Sequence, residues 1–112
     1  MDKGDDNLLV KKMKIEQELV HEAFKGPAAS ITCAALGALF ARDNSGYDIE
    51  SIVKKLKTDE ASVWFAISRL RHEVPVLESF VDHEKKKKID GKVRVYNKFR
   101  VKKEFVPMLA SL

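Results

Sequence analysis

Residues 48–75 read DIESIVKKLKTDEASVWFAISRLRHEVP, and the apolar spacing along this stretch decides the architecture. Asp48 is placed to cap a helix whose inner face is Ile49, Ile52, Val53 and Leu56. Lys57-Thr58 makes a tight turn, and Asp59 caps a second helix from Glu60 to about Glu73. The inner stripe of that helix is Val63, Ala66, Ile67, Leu70 and Val74. Pro75 forbids continuation, since it has no N–H to donate. The opposite face carries Ala61, Ser62, Phe65, Ser68, Arg69 and His72, with Trp64 and Arg71 at the edge of the core. Phe65 is the anomaly, because an outward helical position normally takes a polar residue.

Downstream, Val76 to about Glu84 and Lys92 to Val101 read as two strands. Val93, Val95, Asn97, Phe99 and Val101 share one face of the second strand; Lys92, Arg94, Tyr96, Lys98 and Arg100 share the other. Asp90-Gly91 is a two-residue hairpin turn, whose central positions need positive φ. That turn sets a register in which Lys87 faces Arg94, Lys85 faces Tyr96, His83 faces Lys98 and Val81 faces Arg100. Like charges opposite one another destabilise a ribbon, and an incoming polyanion relieves them. The bland alternative is a lysine-guarded edge strand. After the hairpin, a short tail or helix near Pro107 can pack Met108, Leu109 and Leu112 back on the N-terminal helix or on a partner subunit.

Upstream, residues 1–6 read as a disordered start, followed by a helix over 7–25 that Gly26-Pro27 stops. Leu8, Ile15, Leu19 and Ala23 form one apolar flank of it, and Leu9, Met13, Val20 and Phe24 a second, with Lys12 and Glu16 at the seam. The two flanks span about half the helix, more than a single surface stripe needs. One buries in the domain, and Leu9, Met13, Val20 and Phe24 are the expected dimerisation face; the bland alternative is a helix lying in a deep groove of its own domain. Pro27 suits the first turn of the next helix, whose residues 28–41 are apolar on nearly all sides and belong at the centre of a bundle. Residues 42–46 form a loop.

Composition fits one domain over 7–112. The formal net charge is +4, unevenly spread: residues 1–60 hold nine Lys/Arg against eleven Asp/Glu, and residues 61–112 hold twelve against six. A segregated basic half favours a polyanionic partner. Cys33, a single buried thiol, excludes an intrachain disulfide and a thiolate metal cage. His21, His72 and His83 have no ligand spacing, no phosphate loop exists, and the carboxylates lie on surface helices, so neither an enzyme, a metal nor a cofactor is expected. The expected setting is cytoplasmic (nucleoid-associated, or host cytoplasm if viral), with no leader and no membrane span.

Two short helices joined by a brief turn, with Ile52, Leu56, Val63, Ile67 and Leu70 as the shared core, resemble the winged helix-turn-helix family of DNA-binding domains. The turn departs from the commonest form, with Lys57 where glycine is usual and Thr58 where an aliphatic is usual. The resemblance implies an α+β winged helix, three to four helices followed by a two-stranded wing. It implies a double-stranded DNA partner, a second helix in the major groove and the wing along the backbone. The expected protein is thus a small transcriptional or replication regulator, acting as a homodimer. Ser62, Phe65, Ser68, Arg69 and His72 are the expected contacts of the reading helix. Lys85, Lys86, Lys87, Lys88, Lys92, Arg94, Tyr96, Lys98 and Arg100 are those of the wing. The alternative is a protein–protein module anchored by Trp64 and Phe65, an adaptor or inhibitor that reads no DNA. An RNA-binding form with Tyr96 stacking on a base is a third reading.

Overall fold

The computed structural model describes the backbone at residues 3–81, 87–89, 92–94 and 97–112, and side chains at 8–81 and 97–112. The fold is α+β. Helix α1 is Lys3–Lys25, α2 Ile31–Arg42, α3 Ile49–Leu56 and α4 Glu60–Ser68, which a π-helical turn over Arg69–Glu73 continues. Strands β1 (Leu77–Val81), β2 (Lys87–Ile89), β3 (Lys92–Arg94) and β4 (Asn97–Val101) follow. A 3₁₀ turn over Lys103–Phe105 leads into α5, Val106–Leu109.

Side chains start three of the helices. Ser30 Oγ accepts from the Cys33 N–H at 3.2 Å, Asp48 Oδ1 from Ser51 at 2.7 Å and Asp59 Oδ2 from Ser62 at 2.9 Å. Each satisfies an N–H that the first turn leaves without a partner. The Ser30 cap corrects the expected start of α2: Pro27 lies in the preceding turn, and the hydroxyl fixes the first helical residue. Helix α1 takes in residues 3–6, expected to lie outside it, since extending an existing helix costs little per residue.

The expected single helix from Glu60 to Glu73 changes pitch at Arg69. Pro75 offers no N–H, so the final carbonyls need other donors. Val74 N reaches Arg69 O at 3.0 Å, a π-type bond, and Val76 N reaches Leu70 O at 3.0 Å.

Strand β1 pairs with β4 antiparallel, with Leu77 opposite Val101 and Val81 opposite Asn97. Strand β2 pairs with β3, with Lys87 opposite Arg94 and Ile89 opposite Lys92. The Lys87–Arg94 pair is the expected one. The outer register is not: Arg100 faces Glu78 rather than Val81, and Lys98 faces Phe80 rather than His83. The expectation assumed one unbroken ladder, whereas five residues (82–86) join β1 to β2 and only two (95–96) join β3 to β4. The Asp90-Gly91 turn lies outside the described residues.

The second edge of β4 is also occupied. Tyr47 and Phe99 exchange backbone bonds of 3.0 and 2.8 Å. Asn44 imitates a strand residue beside them, its Nδ2 donating to Val101 O at 3.0 Å and its Oδ1 accepting from Val101 N at 2.8 Å. The loop expected over 42–46 therefore delivers a third, minimal strand to the sheet.

The core joins Val20, Ala23 and Phe24 of α1 to Leu36 and Phe40 of α2, Ile52 of α3, and Val63, Ala66, Ile67 and Leu70. Phe99 and Val101 close it from the sheet, and Phe105, Met108 and Leu109 from the C-terminal turns. Every member of the expected Val63–Val74 stripe is buried. Helix α2 is not central: Cys33, Leu36, Gly37 and Phe40 are buried, but Ile31, Ala34 and Ala38 face solvent. Its close approach to α1 depends on Gly37, where a Cβ would lie 2.9 Å from Phe24 Cγ.

Two backbone positions have opposite chemistry. Lys57 ends α3 in the left-handed region (φ 52°), and Gly46 sits at φ 113° with the Phe80 ring where a Cβ would be. Urea unfolding should show Lys57→Gly more stable by about 0.5–1 kcal/mol. Gly46→Ala should be less stable by about 2 kcal/mol. Equal midpoints for both variants would contradict these conformations.

Candidate nucleic-acid interface

Three surfaces meet the requirements of a polyanion site to different degrees: the outward face of α4, the outer side of α3, and the β2–β3 hairpin.

The α4 face is open but uncharged. Phe65 is 84 % exposed, and Ser68 and His72 are also exposed. Phe65 and Ser62 border a shallow recess of about 300 Å³ shared with Ser30 and Thr32 of the α2 start. The Ser62 hydroxyl is committed, donating to Asp59 Oδ1 at 2.7 Å. That hydroxyl, with the Ser62 N–H, holds the Asp59 carboxyl below its usual range. A carboxyl lowered by folding stabilises the native state above its ordinary pKa and loses that contribution as pH falls through the lowered value.

Arg69, the expected base contact, is withdrawn from this face. Its side chain is only 10 % exposed, and Nη1 donates to Ala23 O at 2.8 Å while Nη2 donates to Glu22 O at 3.2 Å. Those carbonyls belong to the last turn of α1, where helical acceptors lack partners and a cation meets the negative end of the macrodipole. Glu22 Oε1 at 3.5 Å and Glu73 Oε2 at 3.9 Å complete its surroundings. Arg69 is thus a tie between α1 and the π turn. Arg71 is also engaged, 5.6 Å above the Phe99 ring.

Beside α4, a groove of about 480 Å³ has Trp64, Ile49 and Phe99 on its walls and Asp48, Glu50 and Glu60 among its lining. Trp64 meets Phe99 edge-on at 6.1 Å and donates its Nε1 to Glu60 Oε1 at 3.2 Å. That bond accounts for the acidic residue at the start of α4. The carboxylates make this groove hostile to phosphate.

Helix α3 supplies cations that the sequence reading passed over. Lys54, Lys55 and Lys57 are exposed. Lys54 lies 3.5 Å from Glu50 and Lys55 sits 5.6 Å over the Tyr47 ring. The signal was present in the sequence: the residues between the inner positions Val53 and Leu56, and the one after, are all lysine.

On the hairpin, the ladder of β2 and β3 contains six residues, of which Lys87, Lys88, Lys92 and Arg94 are basic. Arg100 does not join them. It donates Nε to Glu78 Oε1 at 2.6 Å and lies 4.2 Å over the Phe80 ring, so its charge is spent within the sheet. Lys98, on the same face of β4, lies opposite Phe80. Lys85, Lys86 and Tyr96 lie outside the described residues.

Of the expected dimer face, Leu9 and Met13 are exposed on α1. Val20 and Phe24 are each 1 % exposed and belong to this chain's own core, because α1 docks by the stripe they occupy. Among the described residues no helix is long and apolar enough to cross a membrane, and no group of three His, Cys, Asp or Glu could hold a metal. No protein-family model, curated protein or solved structure matches the chain.

Removing the Arg69 guanidinium leaves two carbonyls without their donor, a loss of about 2–3 kcal/mol for a charged hydrogen-bonding group. Thermal and urea unfolding should therefore show Arg69→Met strongly destabilised and Phe65→Ser nearly unchanged. Native stability in Arg69→Met would contradict the tie.

Proposed function

We propose that the chain is a winged-helix protein that binds double-stranded DNA, a small transcriptional or replication regulator in role. The β2–β3 hairpin is the wing, and α4 is the helix offered to the groove. Element order supports the winged-helix assignment: α2, the Tyr47 strand segment, α3, α4, β1, the hairpin, then β4 running between β1 and Tyr47.

The observation that carries the binding proposal is the hairpin register. Four of six paired residues are cationic, and Lys87 stands directly across from Arg94. A ladder that places like charges opposite each other is weakened for no internal gain. Phosphates neutralise it, and the counterions they release supply affinity. Lys57, at the α3–α4 turn, adds a cation near the start of α4. The α4 face itself brings Phe65, Ser68 and His72, which suit contact with a thymine methyl and backbone oxygens rather than a guanine-specific fork.

One observation favours a second reading. Phe65 is exposed on a face without a cation, with Trp64 half-exposed nearby, which is the composition of a protein anchor. In that reading the chain is an adaptor and the lysines only solubilise it.

Titration of labelled duplex DNA against salt separates the two. The wild-type chain should bind at low salt and weaken linearly on a log–log plot. Replacing Lys87, Lys88, Lys92 and Arg94 with Ala should lower affinity roughly a hundredfold and the slope by about 3–4, without loss of fold. No low-salt binding by the wild type rejects the DNA reading in favour of the adaptor. An unchanged slope in the quadruple variant removes the hairpin from the footprint.

A further inference from the structure

We propose that the groove beside α4 binds a small organic cation, an ammonium or guanidinium group carried on an apolar body. The inference stands apart from the DNA reading, since it concerns a face that repels phosphate.

The groove forms where three elements present residues at their own periodicity. Ile49 and Val53 are four apart on α3, Glu60 and Trp64 four apart on α4, and Asn97 and Phe99 two apart on β4. Each pair lies on one face of its element, and the three faces converge on about 480 Å³ of open space. That volume falls among those of small-ligand sites. It holds a ring with its cationic group, but not a helix, whose diameter with side chains is about 10–12 Å.

The apolar part of the groove is preformed. Phe99 is buried, and Ile49 and Val53 are half-buried against the core, so packing holds all three. Trp64 differs in being 46 % exposed. Its indole is nevertheless fixed, by the edge-on contact with Phe99 and by the bond from Nε1 to Glu60 Oε1. A large aromatic surface held rigid and left open is one that an occupant covers with little loss of side-chain freedom.

Charge selects that occupant. Asp48, Glu50 and Glu60 line the groove, and among the described residues no Lys or Arg does, in a chain whose formal net charge is +4. Lys54 lies 3.5 Å from Glu50, whereas the Ser51 and Trp64 N–H groups that engage Asp48 and Glu60 are neutral. The groove therefore keeps a negative charge. Its carboxylates do not converge on a point: among the described residues no group of three His, Cys, Asp or Glu could hold a metal ion. A hard metal cation, which needs several oxygens around it, does not match this arrangement. An organic cation does, because its charge needs no coordination shell and its body covers Trp64, whose ring face attracts cations. A neutral apolar molecule would leave the carboxylates less hydrated with nothing to offset them.

Trp64 is the single tryptophan of the chain, so its fluorescence reads the groove. Titrating the full chain with benzyltrimethylammonium should change the emission saturably, with a dissociation constant of about a millimolar for so small a ligand. Phenylacetate, with the same ring and the opposite charge, should leave the emission unchanged. The double variant Glu50→Gln, Glu60→Gln keeps an acceptor for Trp64 Nε1, because a glutamine carbonyl also accepts. It should bind benzyltrimethylammonium about tenfold more weakly, with an unchanged thermal melt, since both carboxylates are exposed. Absence of a saturable change with the wild type, equal binding of phenylacetate, or native affinity in the double variant would each overturn the proposal.

Discussion

Phe99 is the constraint on which the other parts converge. Its backbone exchanges two bonds with Tyr47, its neighbours in β4 pair with β1, Trp64 meets its ring edge-on and Arg71 lies over it. One buried strand residue thereby fixes the α2–α3 connection, the start of α4 and the base of the hairpin relative to one another. The stacking and cation–π contacts are individually worth about 1 kcal/mol, but they share a ring that is 2 % exposed. Loss of the ring would release the sheet from the helices at several points together.

The second organising contact is Arg69, and it divides the labour of the molecule. A guanidinium cannot both saturate the carbonyls at the end of α1 and reach outward to a base. With Arg69 and Arg71 directed inward, α4 keeps a neutral face, and the basic charge moves to the β2–β3 hairpin and the outer side of α3. The DNA reading that fits this arrangement has phosphate contacts dominating affinity and base contacts contributing little. In that reading the acidic groove beside Trp64 bounds the footprint on one side, since Asp48, Glu50 and Glu60 repel phosphate.

The legible parts of the fold were those set by local rules. Helix caps at Asp48 and Asp59, the Val63–Val74 stripe, the stop at Pro75 and the C-terminal helix near Pro107 all follow from periodicity and capping within a few residues. The hairpin's inner pair, Lys87 with Arg94, followed from the turn residues alone. What escaped was non-local. Nothing in the residues around Asn44 announces a side chain that pairs like a strand, because its partner Val101 is 57 positions away. Arg69 looked like an outward residue on an ideal 100° wheel, and the π turn together with the carbonyls of Glu22 and Ala23 turned it inward. The outer strand register failed because one turn was made to set the pairing of four strands.

The account centres on a hairpin that meets nucleic acid while α4 lies beside it. Amide chemical-shift perturbation of the isotope-labelled chain, on adding a short duplex at low salt, tests this residue by residue. The account predicts shifts concentrated at Lys87–Ile89 and Lys92–Arg94, extending to Lys57, Phe65 and Ser68, with Asp48, Glu50 and Trp64 unmoved. Shifts confined to the Trp64 groove or to the first half of α1, with the hairpin silent, would contradict it.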